Sequence, residues 1–185
     1  MKIEVASRRK KRETLNREYP QMEIIDVTSK ADQPWVKFSP FYPHGNIPVP
    51  FSNHKSQSVE GLWQALKVFE TTDVDLSKME VINMKNIKRT VRKNGKVLGH
   101  RKGTTGEELL GYLTARKLIY IPSYTWVLEN CLENELNMIS NKAEKGVVLL
   151  DYETNGDVNN LSKPLSHAYL IKQYLESHIL TKGSN

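Results

Sequence analysis

Glu60, Gln64 and Lys67 lie four and three residues apart in the segment SVEGLWQALKVF, and on a helix turning about 100° per residue they project within a narrow arc. A carboxylate, an amide and an amine gathered there could steady positive charge at a reacting carbon, orient a ligand and move a proton. Trp63 lies towards the same edge, where its ring could form one wall of a pocket. Val59, Leu62, Leu66 and Phe69 take the other side as the buried stripe. The same three polar residues also suit the wet face of an ordinary amphipathic helix, with Glu60–Gln64 and Gln64–Lys67 as simple neighbours.

The elements around this helix must hold it in place. Ser58 is placed to cap it, and the preceding loop, with Pro40, Pro43, Gly45, Pro48 and Pro50, excludes regular structure up to Phe51. A loop of this length inside a compact domain is usually functional, and Phe38, Phe41, Tyr42 and Phe51 argue for an ordered one. MEIIDVT (22–28) and WVKFS (35–39) read as strands, and a short helical pattern follows over 76–87. In VRKNGKVLGHRKG the Asn-Gly pair signals a basic hairpin or an irregular loop. Thr105 and Glu108 have capping-box spacing for a helix beginning near Gly106, and Pro122 separates it from a longer one reaching Asn141. VVLLDY (147–152) is apolar on both faces, as an interior strand is, and Ser166 is the expected cap of a closing helix.

The 185 residues fit a single domain with one core. Residues 1–20 read as a basic segment, a short strand followed by an exposed arm, and residues 21–185 as the domain proper. A net charge of +6 is concentrated in Arg8–Arg12 and in the cluster Lys85, Lys88, Arg89, Arg92, Lys93, Lys96, Arg101 and Lys102. Such clusters either attract phosphates, in nucleic acid or in a phosphorylated small molecule, or are solvated faces. No apolar run is long enough to cross a bilayer and no secretory signal is evident, so no membrane partner is expected. Cys131, the only cysteine, builds neither a disulfide nor a cysteine metal site, which suits a soluble protein of the reducing cytoplasm.

His44, His54, His100, His167 and His178 lack metal-ligand spacing, and phosphate-loop and dinucleotide fingerprints are absent, so no metal or cofactor is expected. Asp151, at the end of an apolar strand, is either a second active-site carboxylate or the cap of the loop after it. Ser166 and His167 belong to the start of the last helix.

Phe38-Ser39-x-Phe41-Tyr42-Pro43, followed by Ser58-Val59-Glu60-x-x-x-Gln64-Ala65-x-Lys67, resembles the NADAR family, also called YbiA-like. The two-part match covers about the second fifth of the chain. MKNIKRTVRKNGK and ARKLIYIPSYTWVLEN answer loosely to later segments of that family, and its closing Asp-x-x-Trp-Gly element is absent. The resemblance implies a helix-rich α+β domain, a small mixed sheet surrounded by helices, that cleaves nitrogen–ribose bonds without a metal. It implies Glu60 as the carboxylate at the ribose, Lys67 as a cationic or imine-forming amine, and Gln64 as an orienting amide. Phe41, Tyr42 and Trp63 would enclose the sugar or stack on a base. Arg89, Arg92 and Arg101 suit phosphate contacts, since a guanidinium grips phosphate oxygens in pairs. The substrate so implied is a phosphorylated ribosyl or ADP-ribosyl small molecule. The alternative is a non-catalytic nucleotide- or nucleic-acid-binding module that uses the same pocket and the basic cluster 85–102.

Overall fold

The computed structural model describes residues 1–182, with side chains as far as His178. In chain order its elements begin with β1 (Ile3–Ser7), α1 (Arg12–Glu18), β2 (Glu23–Asp26), β3 (Ile47–Pro48), β4 (Lys55–Ser56), α2 (Val59–Ala65) and β5 (Lys67–Phe69). They continue with α3 (Val91–Asn94), β6 (Val97–Arg101), β7 (Leu109–Leu110), α4 (Tyr112–Ala115), α5 (Ile121–Cys131), α6 (Glu133–Ala143), β8 (Val147–Asp151) and α7 (His167–Lys182). Short 3-10 turns cover Trp35–Phe38 and Leu76–Glu80, and a π-helical turn covers Arg116–Tyr120. The fold is α+β and rich in helix, with its strands in three small sheets, one parallel and two antiparallel. Two compact units make it up: Met1–Ser39 together with the chain from Leu128, and Pro40–Val127.

In the first unit β8 is the central strand, parallel to β1 on one side and β2 on the other, with Val147 opposite both Ile3 and Glu23. All five residues of β8 are buried, which is why its sequence is apolar without alternation. Leu15 of α1 packs on Ala6, Val148 and Leu150, and α6 and α7 also lie against β8. The N-terminal segment is therefore built into this unit, where the sequence suggested an exposed arm. β1 completes the ladder of β8, Arg8 pairs with Asp26 at 2.7 Å, and Lys10 pairs with Glu18. Trp35–Phe38 is not the strand expected of WVKFS: Pro34 (φ −88°, ψ −3°) opens a 3-10 turn that buries Phe38. Leu132, at φ −128° and ψ 21°, breaks the expected long helix into α5 and α6.

In the second unit Ser58 caps α2, its Oγ accepting from Gly61 N at 3.0 Å. Leu62 and Leu66 are fully buried, contributing about 1.5–3 kcal/mol apiece. Gly61 meets the Leu76–Glu80 turn so closely that a β-carbon there would stand 2.7 Å from the Lys78 carbonyl oxygen. β5, β6 and β7 form an antiparallel sheet in which Lys67 faces His100 and Arg101 faces Leu109.

Three expectations are corrected in this unit. Asn94-Gly95 is not a hairpin turn: α3 ends there, and Gly95 takes the φ of +80° that terminates a helix. Thr105 and Glu108 do not begin a helix, because Leu109–Leu110 is drawn into the sheet as β7 and α4 starts only at Tyr112. Pro122 does not separate two helices. It follows a π-helical turn, whose i→i+5 pattern already omits the regular bonds that a proline would break.

Candidate active site

The first turn of α2 is fastened to the aromatic loop, since Glu60 N donates to Pro40 O at 2.8 Å. This places the Glu60 side chain, 9 % exposed, on the buried side of the helix. One turn on, Gln64 Nε2 donates to Glu60 Oε1 at 2.8 Å, and Gln64 Oε1 accepts from Arg89 N at 3.0 Å. The amide is thereby fixed in orientation from both ends, as an orienting group requires.

Lys67 is not on the helix with them. The carbonyls that a further turn would use are already taken, Ala65 O by Asp75 N at 2.9 Å and Leu66 O by Arg101 N at 2.8 Å. The chain turns into β5, and Lys67 becomes its first residue, half-buried. Glu60 and Lys67 nonetheless feel each other's charge. Burial raises the Glu60 pKa above the usual carboxylate range, while the Gln64 amide and the Lys88 and Lys67 charges hold it back. Burial lowers the Lys67 pKa, opposed by Glu60 and reinforced by Arg89 and Lys88. Each pKa is thus displaced in the direction that favours the neutral form.

Trp63 belongs to an aromatic cluster. Its ring stacks on His100 at 3.7 Å between centroids, with the ring centres of Tyr112 and Tyr120 at 6.0 and 5.5 Å. His100 is buried with neither ring nitrogen hydrogen-bonded, and burial together with the Lys67 charge lowers its pKa to about 3. Lys88 Nζ stands 5.3 Å from the centre of the Phe41 ring, which brings Phe41 to the Glu60 group, whereas Tyr42 packs against His44.

Of the three arginines expected to grip phosphate, Arg89 and Arg101 are spent on protein acceptors. Arg89 spends its guanidinium on the carbonyls of Gln64, Lys67 and Asp73 and on the Thr72 hydroxyl, and it lies over Phe69. Arg101 grips Asp73 through Nε at 3.1 Å and Nη2 at 2.6 Å, and reaches Glu107 O. Arg92 is exposed on α3. A backbone acceptor or local carboxylate satisfies a guanidinium as well as a phosphate does, and sequence does not distinguish the two.

Asp151, in the first unit, is engaged at the start of α7. Its Oδ2 accepts from Ser166 Oγ at 2.7 Å and Ala168 N at 3.3 Å and faces His167 Nδ1 at 2.9 Å, while Oδ1 accepts from Tyr152 N at 2.7 Å. Its carboxylate thus joins the first amide of the following loop to the start of α7, in the unit that does not hold Glu60. Among the described residues no three His, Cys, Asp or Glu side chains converge as metal ligands.

Lys88 and His100 are the members of this site that residue patterns did not single out. His100 faces Lys67 only across a strand pair, and Lys88 lay undistinguished in a basic run. Residues 7–171 match a family of unknown function, DUF6939. The chain belongs to that family. No curated protein matches it. The DUF6939 match runs from the end of β1 into α7, so Glu60, Gln64, Lys67, Lys88 and His100 all fall inside the family's own extent.

Proposed function

We propose that this protein is a metal-independent N-glycosidase that cleaves a nitrogen–ribose bond in an ADP-ribosyl or ribosyl-phosphate conjugate. The observation that carries the reading is the buried Glu60 carboxylate, fixed by Gln64 and flanked by the charges of Lys67 and Lys88. Cleavage builds cationic character at the anomeric carbon, and a desolvated carboxylate stabilises it more strongly than one in water. Lys67, with its lowered pKa, gives its proton to the leaving nitrogen, water adds to the anomeric carbon, and the water's proton returns to the amine. The products are the free base or amine and a ribose hemiacetal. The two-part NADAR-like motif supports the same chemistry, because both of its halves meet at the Pro40 O to Glu60 N bond.

The nucleic-acid-binding alternative finds less support, since Arg89 and Arg101 are committed to protein acceptors. The lone Cys131 suits a cytoplasmic setting. Incubation with NAD, ADP-ribosylated nucleobases and ribosylamino-pyrimidine phosphates, followed by mass spectrometry, should reveal a released ribose moiety for one class. Full turnover of that substrate by a folded Glu60→Gln variant would overturn the assignment.

A further inference from the structure

A cavity of about 510 Å³ opens beside Lys88 and Arg89 in the second unit, within the range of small-molecule sites. Its charged lining is Lys78, Lys88, Arg89, Lys93, Asp73 and Asp75, four cations to two carboxylates. Most of these are already matched. Asp73 is held by Arg101, Asp75 Oδ1 accepts from Ser77 N and Oγ, Arg89 is spent on carbonyls and Thr72, and Lys78 Nζ donates to Asn86 O at 3.1 Å. Lys88 lies over the face of Phe41 and within reach of the Glu60 charge but has no hydrogen-bonded acceptor among the described residues, and neither has Lys93. Two ammonium groups with donors to spare suit the nearly two negative charges of a phosphate monoester near neutral pH.

The cavity is linked at its wall to the proposed reacting site by hydrogen bonds. Its wall residue Arg89 holds Gln64 through the backbone N–H, and Gln64 holds Glu60, so two hydrogen bonds, of 3.0 and 2.8 Å, join the cavity wall to the carboxylate. We propose that this cavity seats a phosphate carried on the 5-oxygen of the substrate's ribose, with Lys88 and Lys93 as its cationic contacts and the Thr90 hydroxyl as a further donor. The proposal rests on the N-glycosidase reading and moves phosphate recognition from the expected arginines to two lysines. A monoester and the first phosphate of a diphosphate present the same chemistry at this point.

Binding of ribose, ribose 5-phosphate and ADP-ribose to the full chain, measured calorimetrically, tests it. Ribose 5-phosphate should bind at least about tenfold more tightly than ribose, and Lys93→Glu and Lys93→Gln should each remove about that factor while Glu60→Gln keeps it. ADP-ribose binding more tightly than ribose 5-phosphate supports a diphosphate in the seat, and equal binding supports a monoester. Equal affinities for ribose and ribose 5-phosphate, or undiminished binding by Lys93 variants whose circular dichroism is native, overturn the seat. So does displacement of ribose 5-phosphate by an oligonucleotide with a steep salt dependence, which would mark a polynucleotide face. An active Glu60→Gln variant with intact phosphate discrimination removes the reaction and leaves the seat supported. Lost discrimination with an inactive Glu60→Gln variant does the reverse.

Discussion

His167 in the first unit and His100 in the second are both buried, and their surroundings drive them to opposite charge. His167 Nε2 lies 2.8 Å from Val27 O and Nδ1 lies 2.9 Å from Asp151 Oδ2, so each nitrogen faces an acceptor, an arrangement that favours the imidazolium. Burial opposes that charge, but Asp151 and the Val27 carbonyl outweigh it and raise the His167 pKa. Burial likewise opposes the Asp151 carboxylate, and His167, Ser166 and the Ala168 amide outweigh it to hold its pKa low. His100 has an aromatic face and the neighbouring Lys67 charge in place of acceptors, and stays neutral. The first unit thus uses its buried ionisable groups to fasten β8 to α7. The second leaves Glu60, Lys67 and His100 with pKa values displaced in the direction of the neutral form.

Four measurements break or sharpen this contrast. Glu60→Gln should lower turnover by about 10²–10⁴-fold. It should not lower stability: a carboxyl with a raised pKa stabilises the fold fully only below its unfolded pKa, near the reference value of 4.5, and that contribution is lost as pH rises through the folded value. Urea melts at pH 7 should therefore show the variant at least as stable as the parent. Asp151→Asn should do the opposite, costing about 3–5 kcal/mol because it leaves a buried imidazolium without its counter-charge. Combining it with His167→Gln should recover part of the loss, and strict additivity in the double-mutant cycle would dissolve the ion pair.

The pH dependence of stability has a definite sign in the first unit. The raised His167 pKa gives a contribution fully present below about 6.5 and lost as pH rises through the folded value. The lowered Asp151 pKa gives one present above 3.8 and lost as pH falls. Between these limits the pair contributes most, so melts from pH 5 to 9 should show a decline on the alkaline side that His167→Gln abolishes. The smallest effect is expected of His100→Phe. No hydrogen bond is lost there, and stability should change by under about 1 kcal/mol, against about 1–3 kcal/mol or more for His167→Phe. A large loss at position 100 would show that its ring nitrogens have partners in solution.

What the sequence made legible follows the range over which each feature is decided. Ser58 and Gly61, three residues apart, fix the start of α2 locally, and Gln64 meets Glu60 one turn on, as helical spacing requires. Lys67 was assigned to the same helix because periodicity continues through it. The stop is imposed by amides from Asp75 and Arg101, which lie far along the chain. The apolar run of β8 announced an interior strand, yet nothing in it names β1 and β2 as its parallel neighbours. Arg89 and Arg101 show the same limit from the side of charge: a guanidinium reads as a phosphate contact until its backbone and carboxylate acceptors are located.

Gly61 carries a last consequence. It directly follows Glu60 and meets the backbone of Lys78, one of the residues that line the cavity, across a gap too narrow for one more carbon. The missing methyl group acts as a gauge, setting how near the proposed anion seat stands to the carboxylate. Any added bulk would work as a shim, prising the Leu76–Glu80 turn away from the helix that carries Glu60.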